Sequence, residues 1–91
     1  MGQVAQIIRD KLTGAFTPIH LEVVDDSARH RGHHGAPDGG ESHFNVIIEA
    51  AAFAGQSRVQ RQRGIYTVLS EELAGPVHAL SVKALAPGEK A

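Results

Sequence analysis

The stretch SRVQRQRGIYTVLSEELAGPVHALSVKAL, residues 57–85, decides the fold, because its apolar spacing changes from helical to strand-like after a Gly-Pro pair. Ser57 with Gln60 three positions on is a capping-box signature, in which the serine oxygen and the glutamine side chain satisfy helix-start amides. A short helix is expected there. Gly64 interrupts the pattern, and beyond it Ile65, Val68, Leu69 and Leu73 fall on one stripe that Gly75-Pro76 brings to a stop. Two consecutive helices are expected, the second longer. VHALSVKAL then alternates, with His78, Leu80, Val82 and Ala84 on one face and Ala79, Ser81 and Lys83 on the other, which predicts a third strand over 77–85.

Upstream, SHFNVIIEA places Phe44, Val46 and Ile48 on one face and His43, Asn45 and Ile47 on the other, the period-2 pattern of a half-buried strand. IHLEVVDD does the same with Ile19, Leu21 and Val23 against His20 and Glu22, predicting the first strand over 19–24. Before it, Val4, Ile7, Ile8, Leu12 and Ala15 recur at helical spacing, closed by Gly14 and Thr17-Pro18. The tail, 86–91, is polar and short, a frayed end or one turn started by Pro87.

The order helix, strand, strand, helix, helix, strand describes a single two-layer α+β domain over 1–91, with a three-stranded mixed sheet. Its ordered core is expected over about 2–85. The hairpin makes the first two strands antiparallel, and the helical crossover lets the third run parallel to the second. Strands two and three then start at the same end of the sheet. The long connector 27–41 leads into one of them and His78 opens the other, so loop and histidine are expected to meet.

With 91 residues, 42% of them hydrophobic, the chain supports one modest core. Nine basic against ten acidic residues give a net charge of -1, so a global electrostatic footprint for nucleic acid is absent. The absence of cysteine excludes disulfides, thiol catalysis and self-contained thiolate metal sites. No apolar run approaches the roughly 20 residues of a membrane span. The opening MGQVAQIIRDKL reads as an amphipathic helix rather than a signal peptide, and position 6 is not the Ser or Thr of a myristoylation signal. A soluble, cytoplasmic protein is expected.

The connector carries His30, His33 and His34 among glycines. H-x-x-H-H is not a helical zinc motif, and glycines fix no geometry, so as a self-sufficient metal site the spacing is poor. His78 shares a face with Leu80 and Val82 yet stands at the strand's opening, where one side of the ring can stay wet. It reads either as a core histidine bonded to a carbonyl or as half of a site completed by the loop. His20 and His43, opposite the core residues of their strands, are expected to face solvent. Arg58, Arg61 and Arg63 suit phosphate contacts, an acidic partner surface or plain solvation. Tyr66, the lone tyrosine, offers no stacking platform. Asp25, Asp26, Glu41, Glu71 and Glu72 are not spaced with a nucleophile and base, so an enzyme is not expected.

Taken together, HLEVVDDS, GGESHFNVII, FAGQSRVQRQRGIYTVLSEEL and GPVHALSVKAL resemble the BolA family, in the right order from Leu12 to about Leu85. The linked strings ESHF, RxRxIY and VHAL make the resemblance specific. It implies a type II KH-like fold, here without the G-x-x-G loop with which KH domains clamp nucleotides. It also implies a heterodimer with a monothiol glutaredoxin, the pair sharing a 2Fe-2S cluster whose thiolates come from glutaredoxin and glutathione. Carried onto this chain, the VHAL histidine is His78, and the second ligand, in the loop after the Asp-Ser pair, is best matched by His30, with His33 and His34 as alternatives. Two imidazoles can complete such a cluster as they do in Rieske centres. Asp25, Asp26 or Glu41 could orient a ligating ring. No cofactor is expected in the isolated protein, which is expected to be a monomer or weak dimer. The family is further described as DNA-binding, transcriptional and linked to stress. That activity would map to Arg58, Arg61 and Arg63.

Overall fold

The computed structural model describes residues 2–26 and 42–89. The elements are α1 (Gln3–Phe16), β1 (His20–Asp25), β2 (His43–Glu49), a 3-10 turn (Ala51–Phe53), α2 (Arg58–Val68), α3 (Ser70–Ala74) and β3 (Ala79–Leu85). This is the α+β order read from the sequence. The sheet order is β1-β2-β3, with β1 antiparallel and β3 parallel to the central β2.

Strict alternation along β2 buries Phe44, Val46 and Ile48 on the helix side and leaves His43, Asn45, Ile47 and Glu49 half-buried on the other. The buried set meets Ala5, Ile8 and Leu12 of α1 and Ile65 of α2, with Leu69 and Val77 completing the cluster. Each such Ile, Leu or Phe contributes about 1.5–3 kcal/mol on leaving water. Phe16 and Phe53 close one end of the core with ring centres 5.0 Å apart. Thr17 ends α1 in the left-handed region at φ 47°, its N–H returning to the Thr13 carbonyl, and Pro18 prevents continuation. Gly14 stays inside α1, so the stop belongs to Thr17-Pro18 alone.

Three boundaries differ from the sequence reading, the first strand running His20–Asp25 rather than 19–24. The break between the central helices falls at Leu69, not Gly64, so the first of them is the longer. Gly64 continues the helix, with the Phe16 ring 3.8 Å from where a Cβ would stand, and Leu69 leaves helical geometry while being fully buried. A single residue thus separates α2 from α3. Both halves of the capping box form, Gln60 N–H to Ser57 Oγ at 3.1 Å and Ser57 N–H to Gln60 Oε1 at 2.8 Å. The third strand begins at Ala79 rather than 77, after His78.

Of the two readings of the tail the turn is the one present: the Glu89 N–H donates to the Ala86 carbonyl at 3.0 Å across Pro87 and Gly88, and the turn is held by Arg61. Its Nη1 and Nη2 donate to the two carboxylate oxygens of Glu89, Nη1 also to the Ala84 carbonyl at 3.0 Å, and Nε to the Gln56 carbonyl at 3.1 Å. Tyr66 Oη donates to the Leu80 carbonyl at 3.2 Å. Side chains of α2 therefore occupy two main-chain acceptors along the outer edge of β3. On the opposite side of the helical layer, Lys11 Nζ donates to both oxygens of Glu72, at 3.0 and 2.9 Å, and to Glu71 at 3.2 Å, tying α1 to α3. The Glu72 carboxylate holds the Lys11 ammonium above its ordinary pKa. Among the described residues no helix is long and apolar enough to cross a membrane.

Candidate functional site

The parallel register sets the site. Pairing His43 with Ala79 brings the starts of β2 and β3 side by side, and His78 stands just ahead of β3 opposite Ser42. The Ser42 carbonyl accepts the N–H of His78 at 2.7 Å and that of Ala79 at 3.1 Å. Ser42 itself is 1% exposed. The main chain of His78 is thereby fixed to a buried residue while its side chain is exposed. Ser42, the first described residue after the connector, holds His78, while the expected meeting of the connector itself with His78 falls outside the described residues. The loop residues His30, His33, His34 and Glu41 lie outside the described residues.

His43, expected to face solvent, is half-buried and stands beside His78, with ring centres 6.3 Å apart and planes inclined by 36°. Its Nδ1 is 2.9 Å from Ser42 Oγ. Its carbonyl accepts the N–H of Asp26 at 2.7 Å, and Asn45 Nδ2 donates to the Asp26 carboxylate at 3.1 Å. Asp26, His43, Asn45, Ala79 and Ser81 line a shallow pocket of about 170 Å³ at this end of the sheet. Alternation within β2 correctly put His43 on the face away from the core. Its companion across the sheet depends on the register between β2 and β3, which no local pattern carries.

Among the described residues no group of three or more His, Asp or Glu could hold a metal ion on its own. The donors at this end of the sheet are two imidazoles and the Asp26 carboxylate, with the His78 ring exposed to an approaching molecule. Such a set fits a cluster only if thiolates arrive with a partner. His20, by contrast, pairs with Glu22 at 2.7 Å on the exposed face of β1, away from this site.

The arginines divide. Arg58 and Arg63 are exposed on α2, where either could meet a phosphate or an acidic surface. Arg61 is 8% exposed, and its guanidinium is taken up by Glu89 and by the Ala84 and Gln56 carbonyls, so its role is to hold the tail and the edge of β3. Hydrogen bonding from Arg61 and from the Ala86 N–H lowers the Glu89 carboxyl to a pKa of about 2.

A family model described as BolA-like protein matches residues 12–89. The chain is 44% identical over 89 residues to BolA-like protein 1 of Bos taurus, covering 98% of this chain and 63% of the bovine one. It is 44% identical over 79 residues to a protein of Escherichia coli named DNA-binding transcriptional regulator BolA, covering 87% of this chain and 71% of that one. Among solved structures, the BolA domain of SufE1 from Arabidopsis thaliana superposes with a TM-score of 0.88 at 43% identity, covering 99% of each chain.

Proposed function

The chain belongs to the BolA-like protein family, and on that premise we propose that it is a non-enzymatic partner of a monothiol glutaredoxin with which it co-ligates a shared 2Fe-2S cluster. The process served is iron–sulfur cluster trafficking or iron and redox regulation. The observation that carries this reading is His78, an exposed imidazole whose main chain is held to buried Ser42, in a protein without cysteine. Such a residue can present one nitrogen ligand but cannot complete a cluster. His78 would take one iron position together with His30, or with His33 or His34, while glutaredoxin and glutathione supply the thiolates. When bound, the cluster supplies the iron–sulfide unit to be passed on or sensed. The protein's own residues position the imidazole, which ligates only in its neutral form.

Mixing the protein with cluster-loaded monothiol glutaredoxin is expected to change the visible absorption and circular dichroism as ligands exchange. His78→Ala is expected to abolish the change. Identical spectra for His78→Ala and the unmodified protein would overturn the assignment.

A second reading, a DNA-binding regulator, is favoured by the name of the Escherichia coli relative and by exposed Arg58 and Arg63. It predicts promoter binding that weakens steeply with salt. Replacing Arg58 or Arg63 by Gln is then expected to lower the salt slope by about one for each lost phosphate contact. Binding indifferent to both changes excludes it.

A further inference from the structure

We infer that the groove between the start of α2 and the end of β3 docks a short acidic segment of a partner protein. Arg58 and Lys83 receive its carboxylates, and Val59 and Val82 receive an aliphatic side chain between them. The inference stands apart from the cluster reading, whose His78 stands ahead of the opposite end of β3. The groove measures about 800 Å³, within the range of binding clefts, and draws Arg58 and Val59 from the helix and Val82 and Lys83 from the strand.

The first support is charge. Arg58 and Lys83 are exposed and form no ion pair among the described residues, whereas Lys11 and Arg61 each meet a carboxylate. Glu89, the one acid lining the groove, is taken up by Arg61, which leaves the charges of Arg58 and Lys83 uncompensated in a chain whose net charge is -1. A local cationic groove of this kind attracts and orients an anionic segment.

The second is a precedent within the molecule. Glu89 seats its carboxylate at this groove on the Arg61 guanidinium and the Ala86 N–H, so the surroundings already hold one acidic side chain of an extended tail. The third is what an incoming chain would touch. Val59 is 56% exposed, and Val82 is half-buried on the strand side. The main chain of β3 faces β2 through its odd residues, as Ala79 N–H to the Ser42 carbonyl and Ala50 N–H to the Leu85 carbonyl show. Alternation therefore turns Leu80, Val82 and Ala84 outward. Tyr66 and Arg61 take the Leu80 and Ala84 carbonyls, and the N–H and carbonyl of Val82 stay open between them. One such pair is too little for an added strand, but it matches a single peptide unit. No aromatic side chain among the described residues lines the groove, so bases find no stacking surface there and a protein segment fits better than single-stranded nucleic acid.

The test titrates the full-length, ¹⁵N-labelled protein at low salt with the acetylated, amidated pentapeptide Glu-Glu-Val-Glu-Glu, following backbone amides. The signals of Val59, Val82 and Lys83 are expected to move on one saturating curve. Arg58→Gln and Lys83→Gln are each expected to weaken binding about threefold, and together about tenfold, the size of exposed ion pairs. Arg63→Gln is expected to leave the affinity unchanged, since Arg63 does not line the groove. Dependence on Lys83 but not on Arg63 separates this site from the DNA reading, which draws on Arg58 and Arg63. The same peptide with Lys in place of Glu is expected not to bind. Shifts that fail to saturate, that fall outside the groove, or that persist at full affinity in the double variant overturn the inference. A single-stranded DNA of about eight nucleotides that moves the same signals at lower concentration overturns the choice of a protein segment.

Discussion

Glu89 lies beyond the last strand, yet its carboxylate accepts from both terminal nitrogens of Arg61 and, at 2.7 Å, from the Ala86 N–H. Its pKa in the folded protein, about 2, is below the ordinary value of 4.5, so the pair stabilises the fold fully above the unfolded value and progressively less as pH falls through the folded one. The melting temperature of the unmodified protein is therefore expected to exceed that of Glu89→Gln by a constant margin above about pH 6, and by a margin shrinking toward nothing near pH 2. Thermal melts across that range check it; a margin independent of pH would show that the charge contributes nothing. The sequence held no sign of this contact, because APGEKA is polar and its chain reversal is set by an arginine far away in the chain. Arg61 itself stands between Arg58 and Arg63, two exposed arginines, in a cluster that read as one surface feature. His78 was legible, through its place at a strand opening and its VHAL setting, and His43 was legible only as a face, not as a neighbour.

At the scale of elements, periodicity was a sound guide where both sides of an element contrast and a poor one where glycine intervened. The alternation of β2 appears in the structure as read, and the α1 stripe in part: Ile8 and Leu12 are buried, but Ile7 and Ala15 are exposed and Ala5 takes a place in the core instead. The capping box at Ser57 is also present, because it depends only on residues three apart. Gly64 misled, since glycine costs a helix interior only about 1 kcal/mol and the helix runs through it to Val68. This has a measurable consequence. A Cβ built on Gly64 meets the Phe16 ring at 3.8 Å, an ordinary contact, and the backbone there is helical. Gly64→Ala is accordingly expected to stabilise the protein by about 0.5–1 kcal/mol, the propensity difference within a helix, as read from urea unfolding at unchanged slope. Destabilisation would mean that the Phe16 ring cannot yield even that contact.

For the molecule as a whole, the order of elements was enough to give the mixed sheet, and the parallel register in turn set His78 beside Ser42 at the start of β2. What the order could not supply was the covering of the sheet's margins. The described sheet ends at β1 on one side and at β3 on the other, and the two sides are unlike. Along β3 the Leu80 and Ala84 carbonyls already receive Tyr66 and Arg61 from α2. Strand-to-strand accretion into fibres needs two receptive margins on every copy, one to join by and one to offer onward. With two of its outward carbonyls already bonded to α2, the β3 margin offers an incoming strand fewer partners than a free edge would, so strand joining is disfavoured on that side.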